Sequence, residues 1–247
     1  MTEVKFIKST AREYFESLTI TVILALFGTT FIVQAFKIPT PSMENNLLVR
    51  DHLLVNKFSY GAHGSVIDEV LPLREIHRGD VIVFKFPRDL SKHFVKRVVG
   101  LPGDRIHVDD DQVSVNGKPL IEVYKRMKPD VSYREQFPPL QGSASIYQYE
   151  GVQGWYEPFR KHGDIVVPEG QYFAMGDNRD DSLDSRYWGF VPRSLIVGKA
   201  LIVYWSYESD TAAYRQTEVR DIVRQTIDLV INFFGKTRWS RTFRIIE

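Results

Sequence analysis

The sequence predicts a mainly β body, tethered by one N-terminal transmembrane helix and followed by a C-terminal amphipathic helix. Three observations carry this reading. Ser17 to Phe36 is a run of twenty residues without a charge. Beyond it, short apolar runs recur between turn residues, the pattern of many short strands. From Val219 the period changes, and apolar residues collect on one helical face.

The uncharged run comes first. At about 1.5 Å per residue, twenty helical residues reach roughly 30 Å, the thickness of a bilayer's hydrocarbon core. Its polar content is Thr19, Thr21, Thr29, Thr30 and Gln34, and a helical threonine can bond back to its own turn. Two alternatives compete with an uncleaved anchor. A cleavable signal peptide would use Val33-Gln34-Ala35 as its processing site, but its apolar region spans only about 7–15 residues. A buried core helix is usually amphipathic, and this run is apolar nearly all round. Lys5, Lys8 and Arg12 precede the run, and Lys37 and Arg50 follow it. That balance of basic residues favours a cytoplasmic N-terminus. The expected division is therefore 1–16 as a cytoplasmic N-terminus, 17–36 as the span, and a globular remainder.

In the body, Asp51–Lys57 reads as a short strand, and Gly61 to Asp68 as a loop. Arg78-Gly79-Asp80 is a turn signal leading into the strand Val81–Phe86, which Pro87 ends. A second strand, His93–Val99, stops at the turn cluster Gly100-Leu101-Pro102-Gly103-Asp104. Arg105 to Val115 is again a β pattern, closed by the hairpin signal Asn116-Gly117. Residues 118–163 are rich in Tyr, Gln, Pro and Gly and read as an inserted β-rich subdomain. Strand patterns resume at Asp164–Pro168, Gln171–Met175 and Leu195–Trp205. The core thus divides into 37–117 and 164–207.

The last segment, 208–247, places Ile222, Val223, Ile227, Val230, Ile231 and Phe234 near one helical face. Lys236, Arg238, Arg241 and Arg244 follow, interleaved with Trp239 and Phe243. Two placements are open: a helix lying on a membrane surface, or an ordinary helix packed on the body.

Composition excludes several chemistries. The chain has no cysteine, hence no thiol nucleophile, zinc-thiolate site or disulfide framework. A net charge of +1 gives no broad electrostatic footprint for nucleic acid. None of the six histidines sits in a recognisable catalytic setting, and no Gly-x-Ser-x-Gly elbow is present.

Ser42 and Lys96 hold the chemical interest. Ser42 follows the uncharged run by six residues. A serine hydroxyl needs a base to take its proton, and lysine can serve only when neutral. Desolvation lowers the pKa of a buried lysine by up to roughly 3–5 units. Strand alternation puts Phe94, Lys96 and Val98 on one face, which gives Lys96 apolar neighbours. Spacing alone leaves the other reading open, a strand lysine reaching solvent beside Arg97.

Four segments together resemble bacterial type I signal peptidase, a membrane-anchored Ser-Lys protease. They are Ile38-Pro39-Thr40-Pro41-Ser42-Met43 after the uncharged run, Arg78-Gly79-Asp80-Val81-Ile82-Val83-Phe84-Lys85-Phe86-Pro87, Phe94–Asp104, and Met175–Pro192, which opens Met-Gly-Asp-Asn-Arg. They spread across most of residues 17–205. The resemblance implies an anchored β-rich catalytic domain that removes signal peptides from exported preproteins through an acyl-enzyme. It implies a cytoplasmic-membrane protein, single-pass, with the catalytic body on the outer side, needing no cofactor or metal.

By the same resemblance, Ser42 is the nucleophile and Lys96 the general base. Ser182 holds the lysine amine by a hydrogen bond. Thr40 and the Ser42 N–H receive the oxyanion, and Asp184 and Arg186 form a supporting ion pair. Ile38, Met43, Leu47, Phe94 and Val95 are the expected walls of shallow pockets for small residues at the −3 and −1 positions. Asp177, Asn178 and Arg179 are expected to brace the turns around Ser182. The chain departs from the family pattern at Pro41, where glycine is frequent, and at Glu44-Asn45-Asn46. Two other functions compete: a Ser-Lys protease of narrow substrate range, and an inactive anchored binding protein.

Overall fold

A computed structural model of the chain describes residues 9–57, 60, 74–110, 112–128, 136–140, 154–208 and 219–246. The expected loop at Gly61–Asp68 and much of the expected subdomain lie outside these residues.

The N-terminal helix is displaced toward the N-terminus relative to the uncharged run. Helix α1 spans Thr10–Phe27, a π-helical turn covers Gly28–Ile32, and strand β1 takes Val33–Lys37. Two causes account for this. The helix starts seven residues early, in the polar stretch from Thr10 to Glu16, where Arg12 and Glu16 pair at 2.8 Å. At the other end, Val33–Lys37 gives up helix to pair antiparallel with β2, Asp51–Asn56. Among the described residues, no helix is long and apolar enough to cross a membrane. Thr19 and Thr21 bond back to Phe15 and Ser17 carbonyls at 2.8 Å, as helical threonines do.

Valine, isoleucine and aromatic residues dominate the strands that follow, as a half-buried pleat favours. They are β3 (Val81–Phe86), β4 (Asp89–Gly100), β5 (Arg105–Asp109), β6 (Gln112–Val115) and β7 (Lys118–Pro119). Later come β8 (Arg160–Lys161), β9 (Asp164–Val166), β10 (Gln171–Met175), β11 (Val191–Pro192), β12 (Ile196–Ser206) and β13 (Arg244–Ile245). The larger sheet runs β1-β2-β12-β3-β4-β10-β11, with β13 added to β12. The smaller runs β7-β6-β5-β9-β8. The mainly β class holds. The single β pattern read over 105–115 is a hairpin, broken at Asp110, where φ is 44°. The smaller sheet also draws on β5, β6 and β9, so its limits are not the expected 118 and 163.

Two cores flank the larger sheet. One gathers Ile38, Met43, Leu47, Leu53, Val55, Val81, Val83 and Val203. The other packs Ile82, Phe84, Phe86, Val98, Trp188 and Val191. Alternation along Val81–Phe84 of β3 and residues 94–98 of β4 sends side chains to both, so both faces are covered there. β4 is thereby a strand on which a polar side chain is surrounded by packed apolar groups.

The segment Leu120–Lys128 after β7 is a strap across the 176–182 loop. Arg126 N donates to Asp177 O at 2.8 Å, and Arg179 N returns a bond to Arg126 O at 3.1 Å. Glu122 forms a bidentate pair with Arg179, both side chains buried. Asn45 Nδ2 reaches Tyr124 O at 3.1 Å, and Glu44 pairs with Arg126 at 2.8 Å.

The C-terminal part contains α2 (Ser185–Trp188), before β12, and then α3 (Val219–Ile231) and α4 (Phe233–Lys236). Helix α3 packs by its polar side. Gln225 Oε1 accepts from Arg50, and Asp228 from the Tyr207 hydroxyl at 3.0 Å. Val223, Ile227, Val230 and Ile231 face outward, along with Phe234. The alternative of an ordinary helix packing its apolar face on the body is therefore not what forms. Three of the basic residues after it turn inward. Arg241 pairs with Asp51 and donates to Asn46 O at 2.8 Å. Arg244 reaches Asn46 Oδ1 at 3.2 Å, and Arg238 reaches Val49 O at 3.1 Å.

Removing one partner of a buried ion pair leaves the other charge uncompensated. Glu122→Ala is expected to destabilise the chain by about 3–5 kcal/mol, read as a lower midpoint in chemical denaturation.

Candidate active site

Ser42 sits in a 3-10 turn, Pro41–Met43, that opens right after the extended residue Thr40. Proline suits the first position of such a turn, since its missing N–H would have no partner there. Pro41 therefore starts the turn and leaves the Ser42 N–H intact. Ile38 ties in the approach to this turn: its N–H bonds Asp51 O, and its carbonyl accepts from Arg50 N, both at 2.9 Å.

β4 brings Lys96 to the serine. Its register pairs Lys96 with Ile82 of β3, deep in the sheet. Lys96 is 3% exposed, so the alternative of a lysine reaching solvent is overturned. Lys96 Nζ lies 2.6 Å from Ser42 Oγ and 3.1 Å from Val95 O. Burial lowers the amine from 10.5 to about 8, because a desolvated ammonium has lost its hydration. The Asp184 and Asp177 carboxylates pull back upward, and Arg186 pushes down. Thr40 Oγ1 stands 3.4 Å from Ser42 Oγ.

Asp184 caps α2 and accepts from Arg186 N at 3.2 Å. Its two oxygens receive Arg186 Nε and Nη2, both at 2.9 Å. Burial opposes the Asp184 charge, but the Arg186 guanidinium and the Gly176 N–H hold its carboxyl below the usual range. Arg97 and Asp177 form a second bidentate buried pair at 2.8 Å. The Arg97 guanidinium lies 3.9 Å from the Tyr124 ring centre.

Ser182 departs from expectation. It is buried near the site, yet its hydroxyl has no hydrogen-bond partner. The Lys96 amine spends its bonds on Ser42 and Val95 instead. Ser182 Oγ packs against Gly176, where an added Cβ would lie 2.2 Å away.

A cleft of about 300 Å³ opens over the pair. Ile38, Met43, Phe94 and Val95 line it, as do Thr40, Ser42 and Lys96. Leu47 does not. It is fully buried in the core beside Met43, since the turn after Ser42 carries it inward. Lys37 and His93, outside the four motif segments, also line the cleft, as do Asp181 and Leu183 from the last of them. The strap residues Glu122, Tyr124 and Arg126 were invisible to sequence reading. Their function depends on a buried partner that no local pattern announces.

A serine hydroxyl within hydrogen-bond distance of a buried lysine amine, on a scaffold of antiparallel sheets, is an arrangement that a serine hydrolase can use with lysine in the usual place of histidine. The comparisons narrow the possibilities. A family model described as "Signal peptidase, peptidase S26" matches residues 11–205, and the chain belongs to that family. Signal peptidase I of Pseudomonas fluorescens is 39% identical over 79% of this chain and 72% of its own. Signal peptidase I of Aquifex aeolicus strain VF5 is 33% identical over 90% of this chain and 94% of its own. A crystal structure of a signal peptidase I from Enterococcus faecalis V583 shares 31% identity, covering 52% of this chain and 98% of that one, with a TM-score of 0.36.

Gly176 permits the closest approach in the site. A Cβ there would lie 2.4 Å from Ser42 O as well as against Ser182. Backbone cannot yield as a side-chain tip can. Gly176→Ala is expected to displace the Ser42 turn and lower kcat by about a hundredfold, measured on a signal-peptide substrate with folding followed by circular dichroism.

Proposed function

We propose that Ser42 is the nucleophile and Lys96 the general base of signal-peptide hydrolysis, in a body held against a bilayer. The observation that carries this reading is the 2.6 Å bond between Lys96 Nζ and Ser42 Oγ, both of them buried at the floor of the cleft. The neutral amine takes the Ser42 proton as Oγ bonds the scissile carbonyl carbon. Charge moves to the carbonyl oxygen, and the Ser42 N–H and Thr40 hydroxyl receive it. The C–N bond then breaks, and the Lys96 ammonium gives its proton to the leaving amine. Water attacks the ester, Lys96 takes a proton from that water, and the Ser42 hydroxyl is restored as the acid leaves.

The substrates under this reading are preproteins with small residues at −3 and −1, seated against Ile38, Met43, Phe94 and Val95 in the cleft. Asp184 and Arg186 support the site from behind by their mutual pairing. Ser182 serves through packing against Gly176 and takes up the amine only if its hydroxyl turns.

Two features support a membrane position. Leu18, Ile20, Val22, Ile23, Leu24, Leu26 and Phe27 of α1 are all exposed, on every side of the helix. Helix α3 turns its apolar face outward, with Trp239 and Phe243 beyond it also exposed. Such surfaces are stable against lipid and costly in water. The reading places the protein in the cytoplasmic membrane, single-pass, with the catalytic body on the outer side. A substrate held in the same membrane meets the site at raised effective concentration.

Purified wild type in detergent is expected to cut a preprotein at an Ala-x-Ala site. Ser42→Ala and Lys96→Ala, both folded, are expected to leave it uncut. Undiminished cleavage by either variant would overturn the assignment.

The pH dependence has a definite sign. The base works only when neutral, and its pKa is lowered to about 8. Activity is therefore expected to be full above that value and to fall as pH drops through it. A kcat/KM profile that rises only near an ordinary lysine's pKa would contradict the buried neutral amine.

A further inference from the structure

Asn178 holds the chain on both sides of Ser42. Its backbone N–H donates to Ser42 O at 3.1 Å, and its side-chain Nδ2 donates to Pro41 O at 3.1 Å. Pro41 O also accepts from Glu44 N at 2.8 Å, within the turn. Only the amide nitrogen can face an acceptor that is already a carbonyl, so the orientation of the Asn178 amide is fixed. The Asn178 side chain is buried.

The geometry of the peptide unit gives this contact a catalytic meaning. Pro41 C=O and Ser42 N–H belong to one planar unit and point in opposite directions. Fixing the carbonyl fixes the N–H. That N–H has no acceptor among the described residues, as fits a donor at the start of a helical turn.

Asn178 is itself braced from behind. Arg179 N bonds Arg126 O, and Arg179 Nε bonds Gly176 O at 3.1 Å. The buried Glu122–Arg179 and Arg97–Asp177 pairs lock the two neighbouring residues. The asparagine therefore cannot follow the turn if the turn shifts.

We propose that Asn178 is a positioning residue: its side-chain amide sets the plane of the Pro41–Ser42 peptide and aims the Ser42 N–H at the oxyanion. This rests on the assignment of Ser42 as nucleophile. Asn178 touches no reacting atom, and its effect passes through that one peptide unit. An amide whose task was only to hold the fold would alter stability without distinguishing a substrate from its transition state.

The test uses full-length protein in detergent, with Asn178→Leu and Asn178→Asp. Asn178→Asp keeps the shape and loses the donor. Its backbone N–H to Ser42 O survives, so it keeps the test open if Asn178→Leu fails to fold. Thermal unfolding establishes that each variant is folded. A preprotein substrate gives kcat and KM, and a peptidyl boronate, whose adduct with serine places an oxygen at the oxyanion position, gives Ki. The expected result is a kcat lower by about tenfold to a hundredfold, with KM within about twofold and the boronate Ki raised in proportion to the fall in kcat. Folded Asn178→Asp with unchanged kcat and Ki, or with raised KM and unchanged kcat, would overturn the proposal while leaving Ser42 as nucleophile. A wild type that cuts no preprotein would instead overturn the underlying reading.

Discussion

Everything in this site depends on keeping a lysine dry. Under the proposed mechanism Ser42 needs a neutral Lys96, and in water that amine would hold its proton. Moving it from 10.5 to about 8 asks the fold for on the order of 3 kcal/mol of differential solvation. β4 supplies this by running between two apolar cores, so that a side chain directed toward either one leaves water. The amine cannot be left wholly without partners either, and its hydrogen bonds go to Ser42 and Val95. The Asp184 and Asp177 carboxylates limit the shift, and each is committed to an arginine. Arg186 works against them and pushes the amine down, so the Asp184–Arg186 pair sets opposed charges beside Lys96 as well as bracing its loop.

The polar groups around this dry centre are buried in pairs. Glu122 answers Arg179, Asp177 answers Arg97, and Asp184 answers Arg186. Buried pairs of this kind add little to stability compared with apolar replacements, but they are costly to break singly. Their use here is geometric. Each arginine bonds a backbone carbonyl as well as its carboxylate: Arg97 that of Gly79 at 2.7 Å, Arg179 that of Gly176, and Arg186 that of Arg179 at 2.8 Å. The loop from Gly176 to Ser182 is fixed at several carbonyls, and through Asn178 this rigidity is passed to the Ser42 turn.

The sheet strands were legible because their signals are local. Val81–Phe86 reads as a strand from its composition and from Pro87, and β3 has those bounds. The Ser42–Lys96 contact spans 54 residues and became legible only through the four motifs taken together. The α-helix does not fill 17–36, because hydropathy does not register the pairing demand of β2, which draws Val33–Lys37 into the sheet. Ser182 was placed in the right neighbourhood, but its bond to the amine was not made, since two other acceptors lie closer to hand. The resemblance implies Leu47 as a cleft wall, but the turn after Ser42 buries it in the core beside Met43. Glu122 lay in a stretch without any motif, and its importance comes only from the arginine it meets 57 residues later.

The turn that carries Ser42 is held by chain from very different stages of synthesis. Tyr124 meets Asn45, Asn178 meets Pro41, and Arg241 meets Asn46 and Asp51, at separations of 79, 137 and up to 195 residues. The serine leaves the ribosome early, and the pieces of its frame leave in sequence, the arginines last. A nascent chain therefore carries the hydroxyl long before it carries the geometry around it. Contacts of such wide separation also close slowly once the chain is complete. The frame around Ser42 is therefore complete only once the chain extends as far as Arg241.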